Sequence, residues 1–190
     1  MTPAHEGRST MGPSLGIAML ALLLASGTAH ATPSPRATVL PPEAMHLANA
    51  APSIDVLIDR LLHALEAKDV EALHALRVTE SEYRSFILPS SVRKGEPLQI
   101  FPERESKFFW DVMNTKSLYT GQALLRSYGG RAYTLEDVTY RKGHRTYVNY
   151  EAYGDPILTV KDDRGEILEI EIGSVVDVNG QFKFMAFNSD

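Results

Sequence analysis

The sequence predicts an α+β protein in which N-terminal helices pack on a curved antiparallel β-sheet. Three observations carry that expectation. Ile54, Leu57, Ile58, Leu61, Leu62 and Leu65 recur at the three- and four-residue spacing of a single helix face. After Gly129-Gly130 the chain changes to β-branched and aromatic residues on a two-residue period. Turn signals then punctuate it at Lys142-Gly143, Gly154-Asp155-Pro156, Asp162-Asp163-Arg164-Gly165 and Asn179-Gly180. Helices first and hairpins afterwards define segregated layers.

The N-terminal residues read as an address. Leu15–Ala25 carries no charge and is followed by Ala29-His30-Ala31. It falls short of the ~20 apolar residues a spanning helix needs, and Ala-x-Ala offers the small side chains a signal peptidase accepts. Residues 1–31 are therefore expected to be a secretory signal cleaved after Ala31, whether translation starts at Met1 or Met11. The destination is the periplasm or the cell exterior. Pro33, Pro35, Pro41, Pro42 and Pro52 remove amide donors and favour extended backbone, so residues 32–52 are expected to be a flexible linker. Residues 53–190 are expected to form one domain.

Within that domain Ser53 is a good N-cap for the leucine-striped helix, and Asp69 for a shorter one carrying Val70, Leu73 and Leu76. Thr79 and Glu82 have the spacing of a capping box, and Pro89 is expected to stop the third helix. A fourth helical stretch, from about Pro102 to Tyr128, is expected to bury Phe108, Phe109, Val112, Met113, Leu118, Tyr119, Leu124 and Leu125, with Gly121 weakening or kinking it.

Strands are expected near 131–141, 144–153, 157–161, 166–178 and 181–187. In 166–178, Leu168, Ile170, Ile172, Val176 and Val178 alternate with Glu169, Glu171 and Asp177. A two-residue Asn179-Gly180 loop pairs Val178 with Gln181, which puts Val175, Phe182 and Phe184 on the glutamate face. Three explanations stay open: another register, a bulge near Gly173, or an outer face partly apolar at this end and suited to a homodimer contact.

Composition excludes several chemistries. The 190 residues are 44% hydrophobic and 23% charged, with a formal net charge of −5 and no cysteine. Disulfides, thiol catalysis and Cys-ligated metals are ruled out. A mildly acidic chain without a basic run lacks the clustered cations that nucleic acid requires. No His-Glu-x-x-His pair or glycine-rich phosphate cradle occurs, and no metal or other cofactor is expected.

Leu65-Glu66-Ala67-Lys68-Asp69-Val70-Glu71-Ala72-Leu73 and the ending Val178-Asn179-Gly180-Gln181-Phe182-Lys183-Phe184 resemble the opening helices and terminal hairpin of the nuclear transport factor 2-like superfamily, with Phe182 in place of the usual Trp. The resemblance implies a cone-shaped domain with a cavity between helices and sheet. Some members are isomerases, dehydratases or polyketide cyclases that use an Asp, His or Tyr there, and others only bind. On that implication Asp137 and His144 are candidate proton shuttles and Tyr150 a candidate to orient a carbonyl, although hairpin-end positions in water are the competing reading for Asp137 and His144. Five of the eight tyrosines fall between Tyr133 and Tyr153. Rings with a polar tip suit sugar, aromatic or peptide ligands. Trp110, Tyr119, Tyr133 and Tyr150 are the candidate ligand-binding residues. The expected function is an exported, non-enzymatic binding or protein-interaction domain for a small ligand or a protein partner. A cofactor-free isomerase or dehydratase is the alternative.

Overall fold

The computed structural model describes residues 45–188. The expected signal peptide and the first part of the expected linker lie outside them. Helix α1, Ile54–Ala67, starts where the Ser53 hydroxyl accepts the Val56 N–H at 3.2 Å, and Leu57, Ile58, Leu61, Leu62 and Leu65 are buried. Asp69 caps α2, Val70–Ala75, through the Ala72 N–H at 2.9 Å. The Thr79/Glu82 capping box opens α3, Glu80–Glu82. A π-helical turn, Tyr83–Ile87, carries α3 into α4, Leu88–Ser90, so the helix runs through Pro89 and does not stop before it. Widening the turn just ahead of Pro89 accommodates its missing N–H and its ring.

Helix α5, Glu103–Tyr128, continues through Gly121, where an added Cβ would lie 3.1 Å from the Phe187 ring. Trp110, Ser117, Gly121 and Leu124 face the body of the protein. Phe108, Phe109, Val112, Leu118 and Tyr119, expected to be buried, are exposed. Between Trp110 and Leu124 the small residues Ser117 and Gly121 bring the backbone of the helix close to the body, and the remaining bulky side chains are left on the opposite side.

The sheet is antiparallel. Its strands are β1, Tyr133–Thr146; β2, Glu151–Asp162; β3, Ile167–Glu171; β4, Val175–Val178; and β5, Gln181–Phe184, in the order β1-β2-β4-β5 with β3 also on β2. The expected strand 166–178 is thus two strands. They nevertheless keep one register along β2, with Ile157 opposite Glu171 and Tyr153 opposite Val175. What changes at the break is the face. Leu158, Val160, Ile170 and Ile172 pack with the α1 leucines, and so do Val175, Phe184 and the partly buried Tyr153 and Phe182. Ala152, Val176 and Val178 turn to the other side and pack with Leu47, Phe86, Ile87, Trp110 and Tyr150.

Local chemistry explains the switch. On β2, Asp155 has φ 48° and Pro156 has no N–H, and β1 slips register between Tyr140 and Gly143 at the same level. Opposite them Gly173 lies under the C-terminal segment, where a Cβ would stand 2.3 Å from the Ala186 carbonyl oxygen. The Asn179-Gly180 hairpin has the register its two-residue loop demands, with φ 54° and 78° at the turn. β3 and β4 keep step with β2 across Gly173, so no bulge lies there; the register shift at this level is on β1, between Tyr140 and Gly143, and the change of face at Gly173 accounts for the apolar surplus. Val175 and Phe184 are fully buried, so the apolar excess that pointed to a dimer contact on the outer sheet is covered within the chain.

Residues 45–52 also differ from the linker expectation. Met45, Leu47 and Ala51 are buried, and Ala51 exchanges two backbone hydrogen bonds with Phe182, of 3.0 and 2.9 Å. Leu76 and Val78 bond Phe184 at 2.9 Å each, so the outer edge of β5 is covered. A buried ion pair fastens these pieces. Lys183 Nζ lies 3.0 Å from Glu82 Oε2 and donates to the Ala48 carbonyl at 2.8 Å, while Glu82 accepts the Ala48 and Thr79 N–H groups at 2.6 Å each. The prolines hid this segment because they mark extended backbone, and an extended strand can dock as well as float.

Candidate functional site

At one end of the sheet the β1–β2 loop, the 92–94 segment and the β4–β5 turn enclose a cleft of about 400 Å³. Its walls include Lys94, Tyr147, Asn149, Tyr150, Glu151 and Asp177. The loop is held from behind by several bonds. Tyr150 is buried and its ring stacks on Tyr147, with centroids 4.7 Å apart and planes 17° from parallel. The Ser91 hydroxyl donates to the Ile87 carbonyl at 2.8 Å, so at 2.8 Å from Tyr150 Oη it accepts the phenol's proton. Burial pushes the Tyr150 phenol well above its ordinary value, against a smaller opposing effect of Ser91, which keeps it a donor. Asn149 Nδ2 donates to Ser90 Oγ at 3.1 Å, the Tyr147 N–H to the Tyr150 carbonyl at 2.9 Å, and the Val148 N–H to the Val92 carbonyl at 3.1 Å.

Glu151 and Asp177 are direct cross-strand partners on β2 and β4. Like charges in that arrangement repel, at Cβ separations of about 5 Å. Two neighbours relieve them: His144 Nε2 lies 2.9 Å from Glu151 Oε2, and Asp177 Oδ1 accepts the Gly180 N–H at 2.7 Å. The His144 ring lies 4.9 Å from that of Tyr153, which is 5.8 Å from Tyr140 and 6.5 Å from Phe182. An aromatic strip therefore borders the two carboxylates. Burial, then Asp177 and Glu151, push the Tyr153 phenol above its ordinary value.

The expected site residues do not meet in one place. Tyr150 and Trp110 share a core cluster, in which Trp110 packs 5.7 Å from the Tyr83 ring. Tyr133 stands at the other end of β1, donates to the Tyr128 carbonyl at 2.9 Å, and lines a groove of about 300 Å³ between α1 and β1. Tyr119 projects from the outer side of α5, beneath Arg126. Asp137 is exposed on β1 beside the Leu135/Asp137 register shift, and His144 is exposed at the hairpin end. Between α1 and the sheet, Leu57, Leu61, Leu65, Leu158, Val160 and Phe184 fill the space where the cone's cavity was expected, because both partners present large aliphatic or aromatic groups there.

Sequence reasoning passed over Lys94, Asn149, Glu151 and Asp177. A signal existed for the last two, since the Asp162–Gly165 turn sets a register that, carried through the break without slip, already puts Glu151 opposite Asp177. Ser91 and Lys94 also stand at Ser-x-x-Lys spacing. The bonds of Ser91 go to Tyr150 and Ile87, however, so it is no activated nucleophile. Among the described residues no three His, Asp or Glu side chains gather as metal ligands, and no helix is long and apolar enough to cross a membrane. No protein-family model, curated protein or solved structure matches the chain.

Proposed function

We propose that this protein is an exported, non-catalytic binding domain that takes a small amine-bearing ligand in the hairpin-end cleft. The observation that carries the reading is the Glu151–Asp177 pair: two acidic residues directly opposite each other on neighbouring strands, both lining the cleft, beside a loop braced by Ser90, Ser91 and Val92. A pair that repels itself is stabilised by an added cation, and bracing before binding lowers the ordering cost. The Tyr147 ring supplies an aromatic wall, and Lys94 offers an opposite charge to any acidic group on the same ligand.

Export rests on residues 15–31. Sequencing the N-terminus of the protein from its own host tests it, with Thr32 the expected first residue. The likeness to nuclear transport factor 2-like domains stands on the short stretches at 65–73 and 178–184 and on the order of helices before sheet.

Isothermal titration of the full chain with a panel of alkyl, aromatic and zwitterionic amines tests the ligand class. Charge-assisted hydrogen bonds of about 1.5–3 kcal/mol make Glu151→Gln or Asp177→Asn weaken binding about tenfold or more. No binding by any amine, or affinity untouched in the double variant, would overturn the reading. One observation favours the alternative of a cofactor-free isomerase or dehydratase: His144 is an exposed imidazole oriented by Glu151 at 2.9 Å. A His144→Gln variant that binds normally but loses proton exchange on the bound ligand would move the assignment there.

A further inference from the structure

Phe108, Val112, Thr115 and Tyr119 follow one another at spacings of four, three and four residues on α5, directly opposite Trp110, Ser117, Gly121 and Leu124, which face the body. Phe109 and Leu118 flank that line. The fractional exposures are 62% for Phe108, 40% for Phe109, 43% for Val112, 37% for Leu118 and 71% for Tyr119. With about 150–250 Å² per aromatic side chain, the face offers on the order of 500 Å², at the upper end for the largest apolar patch of a monomer.

We propose that this face pairs two copies of the chain, antiparallel, about a two-fold axis passing between Val112 and Thr115. The charges on α5 select the partner and the direction. The first turns hold Glu103, Glu105 and Asp111 against Arg104 and Lys107, whereas from Val112 to Tyr128 the charged residues are Lys116 and Arg126, both positive. Among the described residues Glu105, Lys116 and Arg126 have no ion-pair partner, although Arg126 lies 6.0 Å over the Tyr119 ring.

Antiparallel pairing layers Val112 on the other copy's Thr115, Phe108 on its Tyr119, and Glu105 on its Gln122 with Arg126 one turn beyond. It also lays the Lys116 stem on the other copy's Phe109. The opposed helix dipoles favour the same direction. A parallel pair would set Glu105 against Glu105. Two such faces bury on the order of 1,000 Å², the lower bound of a specific interface, so the dimer is expected to dissociate at about micromolar concentration. This inference is independent of the hairpin-end cleft.

Sedimentation velocity of the full chain from about 1 to 100 µM tests it, with a monomer–dimer equilibrium expected in that range. Phe108→Glu, a change at an exposed position, abolishes the dimer. Glu105→Arg and Arg126→Glu each raise the dissociation constant about three- to tenfold, and together they restore it. As the chain has no cysteine, Val112→Cys/Thr115→Cys gives a single oxidised dimer, while Glu105→Cys alone does not cross-link. A monomer throughout the range overturns the proposal. So does a dimer that survives Phe108→Glu, which would put the contact on another face such as the outer sheet. Cross-linking by Glu105→Cys alone overturns the antiparallel arrangement. Flotation of a monomeric chain with phosphatidylglycerol vesicles assigns the face to lipid instead.

Discussion

Replacing Lys183 with Met removes the cation at the junction of three chain segments. The ammonium has partners at Glu82 Oε2 (3.0 Å), Glu82 Oε1 (3.4 Å) and the Ala48 carbonyl (2.8 Å), and both charged side chains are more than nine-tenths buried. The variant leaves the Glu82 carboxylate in place with only the Ala48 and Thr79 amides as donors. Breaking a buried pair from one side costs about 3–5 kcal/mol, and the two remaining donors place this case near 3 kcal/mol. Against a typical total of about 5–15 kcal/mol the variant still folds. Removing both charges, Glu82→Gln with Lys183→Met, deletes the stranded anion and is expected to cost about 1 kcal/mol. Urea unfolding of the full chain at neutral pH, followed by far-ultraviolet circular dichroism, measures both variants. Hydrogen exchange on residues 45–51 reports whether the segment loosens first. A Lys183→Met cost below about 1 kcal/mol, or a double variant as destabilised as the single one, would refute the reasoning.

Other outcomes follow from the same contacts. Tyr150→Phe loses the Ser91 bond but keeps the stack on Tyr147, so urea unfolding is expected to show a cost of about 1 kcal/mol. Gly173→Ala forces a Cβ against the Ala186 and Asn188 carbonyl oxygens, at 2.3 and 2.5 Å, so the backbone must move; about 1–3 kcal/mol of stability is lost, read as a drop in melting temperature. Burial, and then Arg77, hold the His74 imidazole below its ordinary value, so the unfolded chain takes up the proton first. Stability therefore falls as pH drops below about 6.5 towards the lowered folded value, and His74→Gln removes that slope from unfolding curves. Burial pushes the Asp162 carboxyl up, but the Glu166 and Arg164 amides and the Arg131 guanidinium outweigh it and hold it below the usual range. Its contribution is complete above about pH 4 and is lost as pH falls through the depressed value, a slope Asp162→Asn abolishes.

Local signals carried through to the structure where the physics is local. Ser53, Asp69 and the Thr79/Glu82 box cap the helices they precede, because a hydroxyl or carboxylate needs only an amide two or three residues on. The Asn179-Gly180 register was legible for the same reason. The face switch at Gly173 was not legible in the sequence, which offered a bulge there as one of three explanations, since the switch depends on residues 186–188 crossing that backbone. Residues 45–51 looked like a tether until Leu47 and Ala48 found partners more than 130 positions away in Gln181 and Lys183. The bulky stripe of α5 misled because helical periodicity identifies a face without saying what covers it. At the hairpin end Tyr150 could be singled out by composition, but its bond to Ser91 needed tertiary structure, and the meeting of Glu151 with Asp177 followed from the turn register only if the break at Gly173 did not slip.

Amide chemical-shift mapping of the isotopically labelled chain, titrated with a short aromatic amine such as phenethylamine, probes the hairpin-end cleft most directly. Shifts confined to Lys94, Thr146–Glu151 and Asp177–Gly180 are the predicted result. An unchanged spectrum, or shifts gathered in the groove between α1 and β1 around Asp59 and Tyr133, would contradict it.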